Sequence, residues 1–303
     1  MDSPIFAVFL PAALGAVMAG LGLSLTIDDF TRVLRFRRTV IVALFCQIVV
    51  LPAICLGLVL LLGLRGELAV GMMLLAASPG GVAANVFSHL AGGDVALNIS
   101  LTAINSVLAV FTMPVVVAVA TAGFLDSTLA VGPQVSKFVQ VVAIVVVPVG
   151  AGMAVRQRFP RWANRLGKPT KIASVVVLLA VVVVAVIRES GTVTKHFGQL
   201  GPITLALSVA SLAVGYAVPR SLAIPRKQCV AVAMEIGVHN ATFAVAVASA
   251  VLGSNTMALP AALYGIIMFV PAALAATLLA RHGRARRDSG NQPTSADSAR
   301  RHR

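Results

Sequence analysis

Apolar residues fall in blocks of about 20 along this chain, separated by short polar or basic segments and lacking the strict alternation of barrel strands. Blocks of that length predict helices that cross about 30 Å of hydrocarbon, because a helix satisfies its own backbone groups in lipid. Nine spans are expected, near residues 4–24, 39–63, 67–91, 94–122, 134–156, 170–188, 200–219, 228–252 and 257–280. The first block has no basic segment before it and no A-x-A pattern after it, so it reads as a retained helix rather than a signal peptide.

Three of these blocks carry polar residues that a plain spanning helix has no use for. In ASPGGVAANVFSHL, residues 77–90, Pro79 removes a backbone donor, and Gly80 and Gly81 are poor helix formers. That predicts a break in the third span, which survives in a bilayer only if buried in protein or lining a wet cavity. A packing kink is the plainer reading. In VAVAMEIGVHNATFAVAVA, residues 230–248, Gly237 lies between Glu235 and His239 and marks a comparable break, with Asn240 placed after it as Asn85 is after the first. The two elements are five spans apart, and an odd offset inverts the second relative to the first, the pattern of transporters built from inverted repeats. In DVALNISLTAINS, residues 94–106, Asn98 and Thr102 stand at i and i+4 on one helix face. Their oxygens suit a hard cation or hydrogen bonds between helices. Gln47 is a lone amide in an apolar span.

Composition agrees: 58% of residues are hydrophobic, 11% are charged, and the mean hydropathy is +0.95. These values exclude a soluble globular domain and imply an all-α polytopic membrane protein. Of the ten acidic residues, nine fall in loops, termini or helix starts, Glu67 and Asp94 among the last, and Glu235 alone is expected near mid-membrane. A charge there costs on the order of 3 kcal/mol or more and calls for a partner. No Lys or Arg lies in the central part of any predicted span, so the carboxyl is either protonated or neutralised by a bound cation.

The net charge of +14 is distributed as a membrane topology signal, not as a nucleic-acid surface. Of 24 Lys and Arg residues, only Arg65, Lys137, Arg188 and Lys195 fall on one side of the nine-span arrangement. The others follow spans one, five and seven or lie in the tail. That places the N-terminus outside and the C-terminus in the cytoplasm of a cell membrane protein. The polar, basic tail, residues 281–303, is expected to be disordered and to contact anionic lipid. Cys46, Cys55 and Cys229 sit in apolar runs without paired spacing, which suits core packing and gives no disulfide or zinc framework.

SPGGVAAN, DVALNISLTA, EIGVHN and the early MAGLGLSLTIDDF, in this order and spacing over residues 10–280, resemble the bile acid:sodium symporter family. The resemblance implies a core domain of spans two to four and seven to nine, in which the broken helices cross, and a panel of spans one, five and six. It implies inward transport of an organic anion with two sodium ions, by alternating access. By motif, one sodium site takes Asn85, Asn98, Thr102 and Glu235. The other takes Gln47, the Glu235 side chain and oxygens of Ile236, Val238 and His239. Asn240 sits at the crossing near the substrate, whose carboxylate meets the N–H groups of the half-helix starts, around Gly81 and Val82.

The chain departs from the family pattern where Ala84 replaces a serine hydroxyl and where E-I-G-V-H-N puts His239 in place of a glutamine. Met268 and Phe269 stand where some relatives carry polar residues. Neutral imidazole is a poor sodium ligand. The second ion is then held by backbone oxygens, or a proton on His239 replaces it, or His239 donates a hydrogen bond to Glu235 or a carbonyl and keeps its charge. A sensor that binds without transporting is the other membrane reading. An intramembrane hydrolase lacks its paired aspartates, zinc motif or Ser/His dyad, so no enzymatic activity is expected. The sequence names neither the anion nor the oligomeric state.

Overall fold

The computed structural model describes residues 15, 18–20, 22, 23, 26–125, 135–163 and 190–290. Most of the expected first span, all of the sixth, and tail residues 291–303 lie outside the described residues. What is described is helical, joined by short turns. In chain order the helices are α1 (Ile27–Thr31), α2 (Arg37–Phe45), α3 (Leu51–Leu61), α4 (Gly66–Ala76), α5 (Val82–Leu90), α6 (Val95–Phe124), α7 (Val135–Arg158), α8 (Ser190–Ser221), α9 (Arg226–Gly237), α10 (Ala241–Ala246), α11 (Asn255–Ile267) and α12 (Phe269–Gly290). Among the described residues four continuous helical stretches are long and apolar enough to cross a membrane: Ile27–Leu61, Val95–Phe124, Phe197–Ser221 and Asn255–Arg281. The last helix continues to Gly290, ten residues into the segment expected to be a disordered tail.

Local chemistry accounts for the irregularities. Between α2 and α3 the helix widens into a π-turn, Cys46–Val50, in which the Leu51 N–H reaches back to Cys46. Pro52 follows directly and has no N–H to give the preceding turn. Asp94 caps α6, accepting from the Leu97 N–H at 3.0 Å, and Glu67 lies in the first turn of α4, so both acids meet the positive end of a helix dipole.

The helices pack through small residues. Gly71 of α4 leaves no room for a Cβ against the Met257 backbone of α11, and a Cβ on Gly215 of α8 would fall 2.8 Å from the Ala233 Cα of α9. Without a hydrophobic drive between helices in lipid, such close approach is what dispersion contacts need. The three cysteines are free and fully buried in this packing.

One end of the bundle brings together the basic segments that follow the first and seventh expected spans. Arg32 pairs with Asp29 at 3.1 Å and donates to the Ala96 carbonyl at the start of α6. The Asp94 N–H donates to the Lys227 carbonyl at 2.9 Å, and Arg226 donates to the Leu279 carbonyl. The segments around Arg32, Asp94, Arg226 and Leu279 thus meet at the same end.

Candidate cation site at the helix crossing

Two helices stop in the interior and start again. Between α4 and α5 the chain runs extended through Ser78–Gly81, and between α9 and α10 through Val238–Asn240. The two unwound segments pair: Gly80 and His239 form an isolated antiparallel bridge, with Gly81 N–H donating to the Val238 carbonyl at 2.7 Å and Asn240 N–H to the Pro79 carbonyl at 2.8 Å. Backbone groups freed by each break are satisfied by the other, which is the condition for keeping unwound chain in an apolar interior.

The glycines serve this approach by their size. None of Gly80, Gly81 and Gly237 has a positive φ. A Cβ on Gly80 would overlap the Glu235 carboxylate, one on Gly81 would lie 3.0 Å from the His239 carbonyl oxygen, and one on Gly237 would overlap Leu212. The helices break at these glycines as expected, and the close packing adds a steric reason for them. Pro79 keeps its expected role, since the residue before a proline is pushed out of helical geometry and α4 has ended by Ala76.

Glu235 is completely buried in the last turn of α9. Its Oε2 accepts from the Thr102 hydroxyl at 2.6 Å and its Oε1 from the Asn105 Nδ2 at 3.1 Å, both on α6, and the Gly80 backbone packs against the carboxylate. Among the described residues no Lys or Arg pairs with it. Asn98, one turn before Thr102, donates its Nδ2 to the Ala231 carbonyl at 2.7 Å.

The polar inventory is lopsided toward acceptors. Gln47 Oε1, Asn85 Oδ1, Asn98 Oδ1 and Asn105 Oδ1 are buried and accept no hydrogen bond. Amide oxygens with unused lone pairs and a carboxylate are the kinds of group that a hard cation takes. Carrying such oxygens bare into an apolar interior costs about 1–3 kcal/mol each without a compensating partner.

Of the residues expected at the first sodium site, Thr102 and Glu235 touch, and Asn98 lies on the same face of α6 as Thr102. Asn85 lies in the first turns of α5. The Gln47 Nε2 donates to the Ala76 and Ser78 carbonyls at 3.3 and 2.9 Å, closing the C-terminus of α4 at the first break. The Val238 and His239 carbonyls already accept from Gly81 and Ala241, while the Ile236 side chain is buried in the core.

His239 is not hydrogen-bonded to Glu235. Its Nδ1 lies 2.9 Å from the Tyr264 hydroxyl, which itself donates to the Gly237 carbonyl at 2.9 Å. One hydroxyl proton cannot serve both neighbours, so Nδ1 carries the proton and Nε2 is left as a buried acceptor without a partner. Asn240 caps α10 by accepting from the Phe243 N–H at 3.1 Å, and Val82 at the start of α5 is exposed.

Two residues escaped the sequence reading. Asn105 was legible, since it stands three residues after Thr102 and seven after Asn98, on the same face. Tyr264 carried a weaker signal, a tyrosine in an apolar span whose hydroxyl needs a partner.

The sequence matches the model of the Sodium Bile acid symporter family over residues 11–196, more than half of the chain. The chain belongs to this family. Relatives of this symporter family include the uncharacterized sodium-dependent transporter YocS of Bacillus subtilis, 29% identical over 262 residues, which are 85% of this chain and 78% of that one. The ileal sodium/bile acid cotransporter of Oryctolagus cuniculus is 28% identical over 239 residues, 78% of this chain and 68% of that one. The probable sodium/metabolite cotransporter BASS2, chloroplastic, of Oryza sativa subsp. japonica is 26% identical over 255 residues, 84% of this chain and 60% of that one. The chain is thus a multi-pass membrane protein of a symporter family, not an enzyme, and the polar groups at the crossing are read as a binding site rather than a catalytic centre.

Proposed function

We propose that this protein is a secondary active transporter that carries an organic anion, bile-acid-like or a small carboxylate, inward with sodium by alternating access. The observation that carries the reading is Glu235: a fully buried carboxylate with hydrogen-bond donors on both oxygens, no basic partner among the described residues, and unpartnered amide oxygens in the same interior. A sodium ion bound there neutralises the carboxylate and takes up bare lone pairs. Asn85, Asn98 and Thr102 complete the first site.

The reciprocal bridge between the two breaks supports an inverted repeat within the nine-span reading, and the meeting of the basic segments after spans one and seven at one end supports an external N-terminus and a cytoplasmic C-terminus in the cell membrane. Spans two to four and seven to nine form the core, moving against a panel of spans one, five and six. The anion's carboxylate meets the N–H groups at the starts of α5 and α10, around Gly81, Val82 and Asn240, where helix dipoles favour negative charge. Relatives named as a sodium-dependent transporter and a sodium/bile acid cotransporter support the same reading.

A second reading, in which a proton replaces one sodium, is favoured by the unpartnered Nε2 of His239. Uptake of carboxylates and sterol acids into proteoliposomes, with sodium, potassium or choline outside at two values of pH, separates the two. Sodium-driven uptake that is lost in Glu235→Gln is expected. Equal uptake in all three salts refutes sodium coupling, and uptake that follows the proton gradient alone establishes the second reading.

A further inference from the structure

The segment that follows the fifth expected span carries Arg156, Arg158, Arg161, Arg165, Lys168 and Lys171, and residues 127–188 contain no Asp or Glu to offset them. α7 ends at Arg158, because Phe159 precedes Pro160 and is pushed out of helical geometry. A new turn begins at the proline, a residue suited to the first position of a helix, and the Ala163 N–H closes it by donating to the Phe159 carbonyl at 3.0 Å. Ala163 is fully buried, so this turn has an inner side. Phe159 and Trp162 lie on its outer side, 55% and 67% exposed, and Val155, one turn before Phe159, is exposed as well. Arg158 and Arg161 each directly precede the exposed stretch of an aromatic or proline pair; both are exposed and neither forms an ion pair among the described residues.

Bare aromatic rings beside unpaired guanidinium groups suit neither water nor hydrocarbon alone. Water disfavours the rings, and hydrocarbon disfavours the charges. The boundary between the two suits both: tryptophan is enriched at head-group depth, and basic side chains there meet anionic head groups.

We propose that Arg158, Phe159, Arg161 and Trp162 form a docking surface for anionic phospholipid, with the rings at the boundary of the acyl chains and the guanidinium groups on the head-group phosphates. The segment leaves an expected spanning helix within a few residues, so the leaflet is already in reach and its negative charge complements a stretch that has only positive charge. The inference goes beyond the sodium-coupled reading and does not depend on it. Each basic side chain near an anionic surface contributes a roughly fivefold preference, which weakens as salt screens it.

Trp162 is the only tryptophan in the chain, so its emission reports on this surface alone. The test is tryptophan fluorescence of the purified full-length protein in vesicles of three parts phosphatidylcholine to one part phosphatidylglycerol. Bromine on the acyl chains, which quenches tryptophan on contact, is carried by the phosphatidylglycerol in one set and by an equal amount of the phosphatidylcholine in the other. Brominated phosphatidylglycerol is expected to quench more strongly, and high salt to reduce the difference. Enrichment of phosphatidylglycerol beside Trp162 falls roughly fivefold in Arg158→Gln and is lost in Arg158→Gln/Arg161→Gln, while quenching by brominated phosphatidylcholine persists. Both substitutions are at exposed positions, and that persistence shows that the rings are still placed in lipid. Equal quenching by the two lipids in wild type overturns the inference and leaves the rings as lipid contacts without head-group selectivity. Quenching by neither also overturns it and gives the surface to water or to a protein partner. A preference unchanged in the double variant overturns it by moving the selectivity to other basic segments.

Discussion

Thr102→Val tests whether the buried carboxylate is charged. Valine keeps the shape and β-branching of threonine in a helix, so the substitution removes one hydroxyl and little else. That hydroxyl donates to Glu235 Oε2 at 2.6 Å, and threonine and carboxylate are 3% and 0% exposed, so no water takes its place. A hydrogen bond to a charged group contributes about 1.5–3 kcal/mol, against about 0.5–1.5 kcal/mol for a neutral pair. If sodium binds the ionised form, its affinity falls roughly 10- to 100-fold, and stabilisation by saturating sodium falls by about 1.4–2.7 kcal/mol. The assay is thermal or denaturant unfolding in detergent across a series of sodium concentrations at constant ionic strength, with choline as the replacement. The sodium dependence shifts to higher concentration in the variant, while stability in choline changes by about 1 kcal/mol or less. The same loss of stability at every sodium concentration refutes the reasoning and identifies Glu235 as a permanently protonated structural group.

Gly80→Ala places a methyl group in the space of the Glu235 carboxylate. It should lower stability by about 1–3 kcal/mol and abolish the sodium response, whereas Gly71→Ala, which overlaps the Met257 backbone, should cost as much and leave the response intact. Unfolding with and without sodium checks both. Tyr264→Phe strands the Gly237 carbonyl and the His239 Nδ1–H in a dry interior and should destabilise by about 1–3 kcal/mol. Tyr216→Phe, at a half-buried position, is the control expected to change stability by less than about 0.5 kcal/mol.

Much of the fold was written in local pattern. Blocks of apolar residues about 20 long give the helices their extents, because hydrocarbon thickness sets that length and the chain must meet it segment by segment. The end of α4 before Pro79 and the acids at helix starts, Glu67 and Asp94, are equally local, since each depends on a few consecutive backbone groups. The buried Glu235 carboxylate was visible too, because the cost of a buried charge does not depend on which neighbour answers it.

What answers it was settled by packing across the chain. Asn105 shares a helix face with Asn98 and Thr102, but that this face meets Glu235, 130 residues away, follows from how α6 packs against α9. The glycines near the breaks were expected as poor helix formers; that they also make room for a carboxylate, a carbonyl and a leucine from distant segments came from packing. His239 was placed by motif at a sodium site, and the structure turns its ring to Tyr264, a partner 25 residues on that no short pattern connects to it. The sequence by itself determined where helices run, where they break and that a carboxylate lies buried, because those are matters of length, backbone chemistry and solvation. Only the tertiary structure decided which oxygens stay bare around it, because a lone pair is free or used according to what another helix brings within about 3 Å.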